Sequence, residues 1–322
     1  MYNGGVDIHQ IEGVEIAGLC ACVPKDAVAN DEKAAKATGI VTRRIASAGT
    51  TVVDLCAKAA ERVLADTGAK PEDFGAIVFV SFTQRDRMPC AAAQAQARLG
   101  FPKDVMAFDV SLACSGWGYG LYLAGLLTRE TGKKTLLLDG DVQSTFVRDG
   151  DASTTPLLGD AGTAAVVEPV LNTETRRHRE GWRFAFWSDG AKGGALKLSE
   201  GGTIQMDGFG VFKFVATDVV GYLKEFLNSQ PSTLNSQLST FVPHQPNVYM
   251  VRQLAKSVGI DEARTAVSCD RLGNLSSASV PATIAWCGVR GPLLLAGFGG
   301  GLSVSVGAIE IGEDCKLATV EV

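Results

Sequence analysis

The run DVSLACSGWGYGLYLAGLL, residues 109 to 127, sets Cys114 between an apolar, strand-like stretch and a glycine-punctuated, helix-like one. A cysteine at that junction is a candidate nucleophile, because the free N–H groups and the dipole of a helix N-terminus favour a thiolate. Most cysteines are small buried hydrophobes, and Cys20, Cys22, Cys56, Cys90, Cys269, Cys287 and Cys315 are read that way. His244, in FVPHQPN, follows an apolar strand and lies between two prolines, while Asn274, in DRLGNLSSASVP, follows a glycine and precedes small residues. Taken singly, they read as a core histidine and a loop asparagine or helix cap. Late in the chain, LLLAGFGGGLSVSVGAIEI offers Gly297, Gly299, Gly300 and Gly301 behind a buried strand. A glycine N–H there, with that of Cys114, would form an oxyanion hole, in which each donor is worth ~3 to 4 kcal/mol in acyl transfer.

Other chemistries lack their residues. The late glycines do not spell GxGxxG, and the residues after them alternate like a strand instead of opening a helix, which argues against a dinucleotide site. There is no GxSxG elbow, Walker loop or HExxH. The pairs Asp139/Asp141 and Asp149/Asp151 lack the remaining spacing of a calcium loop and read as turn residues. Eight cysteines without CxxC spacing and three histidines argue against a disulfide framework and a metal site.

With 322 residues, 46% of them hydrophobic, and a mean hydropathy of +0.14, the composition is that of an ordinary globular protein. The length suits one large α/β domain or two similar halves. A net charge of −5 and a pI near 5.4 disfavour a nucleic-acid binder. The basic cluster Arg176, Arg177, His178 and Arg179 lies in a polar stretch, residues 171 to 181, that reads as a solvated linker. MYNGGVDIHQ lacks the features of a secretory signal, and no segment approaches the roughly 18 apolar residues of a membrane span. The expected location is the cytoplasm.

The elements that must position the three residues come in two similar sets. GAIVFVSFTQ, AAAQAQARLGF, VMAFDVSLACSGWGYGLYLAGLL and KKTLLLDGDVQS share an order of strand, helix, strand, helix and strand with LSTFVPHQPN, VYMVRQLAKSVGI, TAVSCDRLGNLSSASVPATIAWCG and GPLLLAGFGGGLS. Gly100 and Gly259 are 159 positions apart, and Cys114 and Asn274 are 160 apart. A near-constant offset indicates internal duplication, with halves 1–170 and 171–322. Alternating strands and helices predict substantially parallel sheets covered by helices. Equivalent loops of the two halves would meet about a pseudo-twofold axis, bringing Cys114, His244 and Asn274 together.

DVSLACSGWGYGL, LLGDAGTAAVV, VPHQPN, LGNLSSASVP and GFGGGLS, in that order, resemble the motifs of β-ketoacyl-acyl-carrier-protein synthase III, and the likeness runs from TGIVTRRIA nearly to the end of the chain. Thiolases carry a second cysteine in the late glycine loop, where this chain has Phe298, and elongating synthases use two histidines, where it has Asn274. The resemblance implies the thiolase fold, an α/β architecture of two duplicated halves in a five-layered αβαβα sandwich, and a homodimer. It implies Cys114, His244 and Asn274 as the catalytic triad and the backbone of Cys114 and Gly301 as the oxyanion hole. The implied reaction passes an acyl group to Cys114 and then condenses it with malonyl-acyl carrier protein as carbon dioxide leaves, with no metal or redox cofactor. Met88 aligns with a residue that closes the acyl pocket across the dimer interface, and Phe298 and Phe212 are assigned to the substrate site with it. Lys213, Lys224, Arg252 and Lys256 form a candidate docking patch for acidic carrier protein.

The chain departs from the family at its coenzyme A contacts. Apart from Val304, a separate departure late in the chain where tryptophan is usual, the segment before TGI is short and has no tryptophan, the loop DASTTPLLGD has no arginine, and Tyr249 stands where arginine is common. These differences turn the expected acyl donor from coenzyme A toward carrier protein. Two other readings use the same scaffold: acyl transfer to an oxygen or nitrogen nucleophile, and a non-catalytic partner of an active homologue.

Overall fold

A computed structural model of the chain describes residues 6–148, 150–170, 181–199 and 201–322. Asp149, the cluster Arg176 to Arg179 and most of the stretch read as a linker lie outside the described residues.

Two large sheets dominate. The first runs, in spatial order, β15 (Lys316–Glu321), β2 (Val14–Val23), β8 (Ala161–Pro169), β7 (Lys134–Asp141), β5 (Phe74–Val80) and β6 (Met106–Val110). The second runs β1 (His9–Ile11), β9 (Trp182–Ser188), β14 (Ser303–Ile311), β13 (Gly291–Gly299) and β12 (Thr240–Pro243). Two ribbons pair β3 (Ala27–Ala29) with β4 (Thr42–Arg44) and β10 (Leu196–Lys197) with β11 (Gln205–Met206).

Strand pairing repeats between the sheets. The series β2, β8, β7 is antiparallel and continues in parallel through β5 and β6. The series β9, β14, β13 is likewise antiparallel and continues in parallel through β12, with Phe241 bridging Thr265 where β6 would stand. Each sheet also takes an edge strand from the far end of the chain, β15 in the first and β1 in the second. The expectation of substantially parallel sheets is corrected to mixed ones. The turn from β13 into β14 is only a few residues long, and such a turn returns the chain antiparallel, since a parallel neighbour needs a crossover.

Five layers result. Helices Val52–Thr67 and Ala91–Arg98 cover the outer face of the first sheet, and helices Gly116–Thr131 and Ser279–Cys287 fill the space between the sheets. Helices Val220–Ser229 and Val248–Val258 cover the outer face of the second sheet. Both faces of each sheet are therefore buried, which is why the strands read as apolar runs rather than alternations. In β7, Leu136 and Leu138 join the outer core while Leu137 joins the central one; in β13, Leu293 and Leu295 face the centre while Leu294, Ala296 and Phe298 face outward.

The glycines of GWGYG follow from the central layer. A Cβ on Gly116 or Gly120 would stand 2.6 or 2.5 Å from methyl groups of Val80, and one on Gly118 would stand 2.4 Å from Ser305 Oγ. The helix lies too close to both sheets for side chains at those positions. Gly162 on β8 is as tight as Gly118, but its Cβ would meet backbone, the nitrogen of Cys56, at 2.4 Å. Backbone cannot yield as a side chain does, so Gly162→Ala is expected to lower stability by about 3 kcal/mol in urea denaturation.

Candidate active site

Cys114 closes the loop between β6 and the helix Gly116–Thr131 and is almost wholly buried. The end of β13 presses against this loop. A Cβ on Gly299 would lie 2.9 Å from Cys114 Sγ, and one on Gly297 would lie 2.9 Å from the Ser115 Cα. Two hydrogen bonds fasten the contact: Ser115 and Ser303 hydroxyls lie 2.7 Å apart, and Ser305 Oγ donates to the Ser115 carbonyl at 2.8 Å. Gly297 and Gly299 are thus required by the Cys114 loop, and Gly300 and Gly301 line the space beyond it. Hydrogen bonding from the backbone at Gly300 and at Cys114 itself favours the thiolate form of Cys114.

His244 follows β12, where its own amide donates to the Ala296 carbonyl at 2.6 Å. Its ring meets Phe298 edge-on at 5.3 Å, and its Nδ1 has no hydrogen-bond partner among the described residues. Gln245 is structural, donating to the Pro243 and Ala266 carbonyls and accepting from the Ser268 amide. Asn247 caps the helix Val248–Val258 by accepting from the Met250 amide at 2.9 Å.

Asn274 is held on both sides of its peptide. Its amide donates to the Leu157 carbonyl at 2.8 Å, and its carbonyl accepts from the Gly159 amide at 2.9 Å and from Gln143 Nε2 at 2.5 Å. The motifs LLGDAG and LGN are therefore two sides of one backbone contact. The Asn274 side chain accepts from the Ser276 amide through Oδ1 at 2.9 Å, which fixes the amide's orientation and leaves Nδ2 as its donor. Ser276 adopts a positive φ of 56°, and its hydroxyl lies 4.0 Å from Cys114 Sγ. Its place beside both residues was not legible from a Ser-rich run in which several serines look alike.

Cys114, His244, Asn274, Ser276, Phe298 and Gly301 line one cavity of about 440 Å³. Its remaining wall is mainly aliphatic and aromatic, with Leu112, Leu158, Ile204, Met206 and Phe214 among the contributors. Phe212 is not in this wall. It is half exposed on a neighbouring depression that also holds Arg252 and Lys256 and shares Asn247 and Met250 with the cavity. Met88 is 87% exposed and lies outside the cavity within this chain. Lys213 and Lys224 are exposed on helices Gly208–Phe214 and Val220–Ser229, and Arg252 is paired with Glu262 at 2.6 Å. Among the other cysteines, Cys287 is exposed and Cys90 half-buried, so the reading of all seven as buried packing holds for five.

Burial sets the charge state of the site. It pushes the Cys114 thiol up to about 12, against the hydrogen-bonding influence of Ser276 and of the backbone at Gly300 and Cys114 itself. The expected thiolate at the helix N-terminus is thus overturned for the unliganded chain, because desolvation outweighs the amides. Burial likewise pushes His244 down to about 3, opposed only by the Ser276 backbone, so the imidazole is neutral at physiological pH. The resting cavity holds a thiol, an imidazole and a carboxamide with no charge among them.

Two duplicated sheets enclosing a central helical layer, with a loop from the first half and two loops from the second meeting at one cavity, define a thiolase-fold condensing enzyme. The chain belongs to the 3-oxoacyl-[acyl-carrier-protein] synthase III family, whose model matches residues 108–199 and whose C-terminal model matches residues 230–311. It is 34% identical to the β-ketoacyl-[acyl-carrier-protein] synthase III of Serratia proteamaculans over 85% of this chain and 89% of that one. It is 32% identical to the protein of the same name from Desulfitobacterium hafniense over 85% and 87%. A 3-oxoacyl-(acyl-carrier protein) synthase structure from Burkholderia xenovorans LB400 superposes with a TM-score of 0.90 at 29% identity, covering 99% of both chains. The priming β-ketosynthase of the R1128 polyketide pathway superposes with a TM-score of 0.84 at 27% identity, covering 96% of this chain and 99% of that one.

Because Cys114 is a thiol until far above neutrality, its alkylation in the unliganded protein should accelerate about tenfold per pH unit with no plateau between pH 6 and ~9. Peptide mass spectrometry of the Cys114 peptide after timed iodoacetamide exposure measures this, and a plateau near neutrality would reveal a thiolate instead.

Proposed function

We propose that the chain catalyses the decarboxylating Claisen condensation of a Cys114-bound acyl group with malonyl-acyl carrier protein. The observation that carries this reading is the convergence of Cys114 from one half with His244 and Asn274 from the other on a single cavity.

In the first half-reaction Cys114 Sγ attacks the carbonyl carbon of an acyl thioester. The developing oxyanion is met by backbone N–H groups of Cys114 and of the Gly300–Gly301 turn, and the carrier thiol departs with the proton that Cys114 gives up. Deprotonation of a thiol this buried is favoured only when the thioester is in place to take the charge. The second half-reaction begins with malonyl thioester in the same cavity. Neutral His244 and the free Nδ2 of Asn274 donate to the thioester oxygen, so that the electrons released as carbon dioxide leaves are held as an enolate. That carbanion attacks the acyl carbon on Cys114, the carbon–sulfur bond breaks, and the cysteine recovers a proton. None of these steps calls for a metal or a redox cofactor.

The aliphatic wall suits the acyl chain, with Phe298 at the His244 end. The depression bearing Phe212, Arg252 and Lys256 opens beside the cavity; Asp261 and Glu262 also line it and Glu262 pairs with Arg252, so the docking of acyl carrier protein is assigned chiefly to Lys256 with the exposed Lys213 and Lys224. Met88, so exposed within one chain, is assigned to the acyl pocket of a second copy in a homodimer.

Intact-protein mass spectrometry with a panel of acyl-carrier-protein and acyl-coenzyme A thioesters tests the nucleophile and the donor together. An acyl adduct is expected on the unmodified protein and not on Cys114→Ala. His244→Ala and Asn274→Ala should still acylate while losing condensation by about 10² to 10³. Condensation surviving in Asn274→Ala would remove that residue from the mechanism.

A further inference from the structure

Asp139 and Asp141 were read as turn residues, yet both are wholly buried on the same face of β7. The described residues supply no cation paired with either. Asp141 is richly served: its Oδ1 accepts from Ser81 Oγ at 2.9 Å, the Phe82 amide at 3.0 Å and Thr83 Oγ1 at 3.0 Å. Its Oδ2 faces Ser277 Oγ at 3.4 Å. Asp139 is poorly served, with a short contact from Oδ1 to the same Ser277 hydroxyl and no partner at Oδ2.

A count of protons decides the matter. The Ser277 hydroxyl has one hydrogen to offer the two carboxyl groups, and Asp139 Oδ2 has no donor among the described residues, so an ionised Asp139 would bury an unserved anionic oxygen. We infer that Asp139 and Asp141 share a single proton through Ser277, and that this acid pair is the positioning device for the turn that carries Asn274 and Ser276 against Cys114. Asp139 is the neutral acid. Its O–H donates to Ser277 Oγ, the Ser277 hydrogen points to the Asp141 carboxylate, and the orphaned Oδ2 is a carbonyl oxygen, whose burial costs far less than that of an anionic one. Desolvation raises Asp139 well above the ordinary range and Asp141 to about 6, which agrees with one proton residing on the pair near neutrality. The other titratable groups facing the pair are the thiols of Cys56 and Cys114, both themselves pushed up by burial.

What the pair holds is the turn Ser276–Ala278, which opens the helix Ser279–Cys287. Ser276 is the one non-glycine residue with positive φ among the described residues, a conformation that persists only where surrounding contacts enforce it. Ser277 supplies the enforcement from below through the acid pair. Above, the Ser276 amide orients the Asn274 side chain. The positioning role rests on the proposal that Asn274 acts in condensation.

Infrared spectroscopy of the unmodified protein at pH 8, where surface carboxyls are ionised, tests the protonation without any variant. One carboxylic acid C=O band is expected, lost in Asp139→Asn and kept in Ser277→Ala; no such band in the unmodified protein overturns the shared proton. For the positioning role, Ser277→Ala should load Cys114 with acyl group at an unchanged rate while condensation falls by about a hundredfold, the scale of a ~1 Å misplacement. Asp139→Asn, whose amide still donates to Ser277, should condense normally. Equal loss in both half-reactions, no loss in either, or failure of folded Asp139→Asn to condense would overturn it. If Asn274→Ala itself condenses normally, the proposed mechanism fails and the infrared band is untouched.

Discussion

The site depends on how closely β13 approaches the loop that carries Cys114. At Gly297 and Gly299 the strand leaves no room for a side chain, and Ser303 and Ser305 on the returning strand bind Ser115 directly. This seam is where the two halves of the molecule touch at the reactive sulfur. Once it is fixed, the central helix Gly116–Thr131 must lie against both sheets, which accounts for its run of glycines. His244 is placed from the same strand, since its amide pairs with Ala296 and its ring rests on Phe298.

A dry cavity has electrostatic consequences. With the thiol and imidazole both driven to their neutral forms, the resting site does not bury an uncompensated charge beneath 440 Å³ of mainly apolar wall. In the proposed reaction the same low polarity would strengthen hydrogen bonds to the oxyanion and the enolate. Charge is present one layer below, on Asp141, where four hydrogen-bond donors surround it. The cavity is thus neutral at rest and equipped with donors for negative charge.

Much of this was legible in the sequence. Cys114 does stand just before a helix, and the repeated order of elements foretold a cavity shared by Cys114 with His244 and Asn274. The glycine run was read as a source of backbone N–H groups, whereas Gly297 and Gly299 are demanded by the close approach of the protein's own Cys114 loop. Strand direction was misjudged because alternation of strands and helices does not register a hairpin such as β13 to β14, nor the exchange of β1 and β15 between sheets. The charge state of Cys114 was misjudged because local helix position is visible in a sequence and burial by distant segments is not. Asp139 and Asp141 were read as turn residues and Ser277 was passed over for the same reason, since their meeting joins residues more than 130 positions apart.

The central claim is that transfer and condensation use different residues within one cavity. Release of carbon dioxide from malonyl-acyl carrier protein, followed with carboxyl-labelled substrate in the absence of any acyl donor, tests it most directly. Cys114→Ala should still release carbon dioxide, because His244 and Asn274 suffice to hold the enolate, while His244→Ala and Asn274→Ala should not. Release that stops with Cys114→Ala and continues in either of the other two would contradict the account.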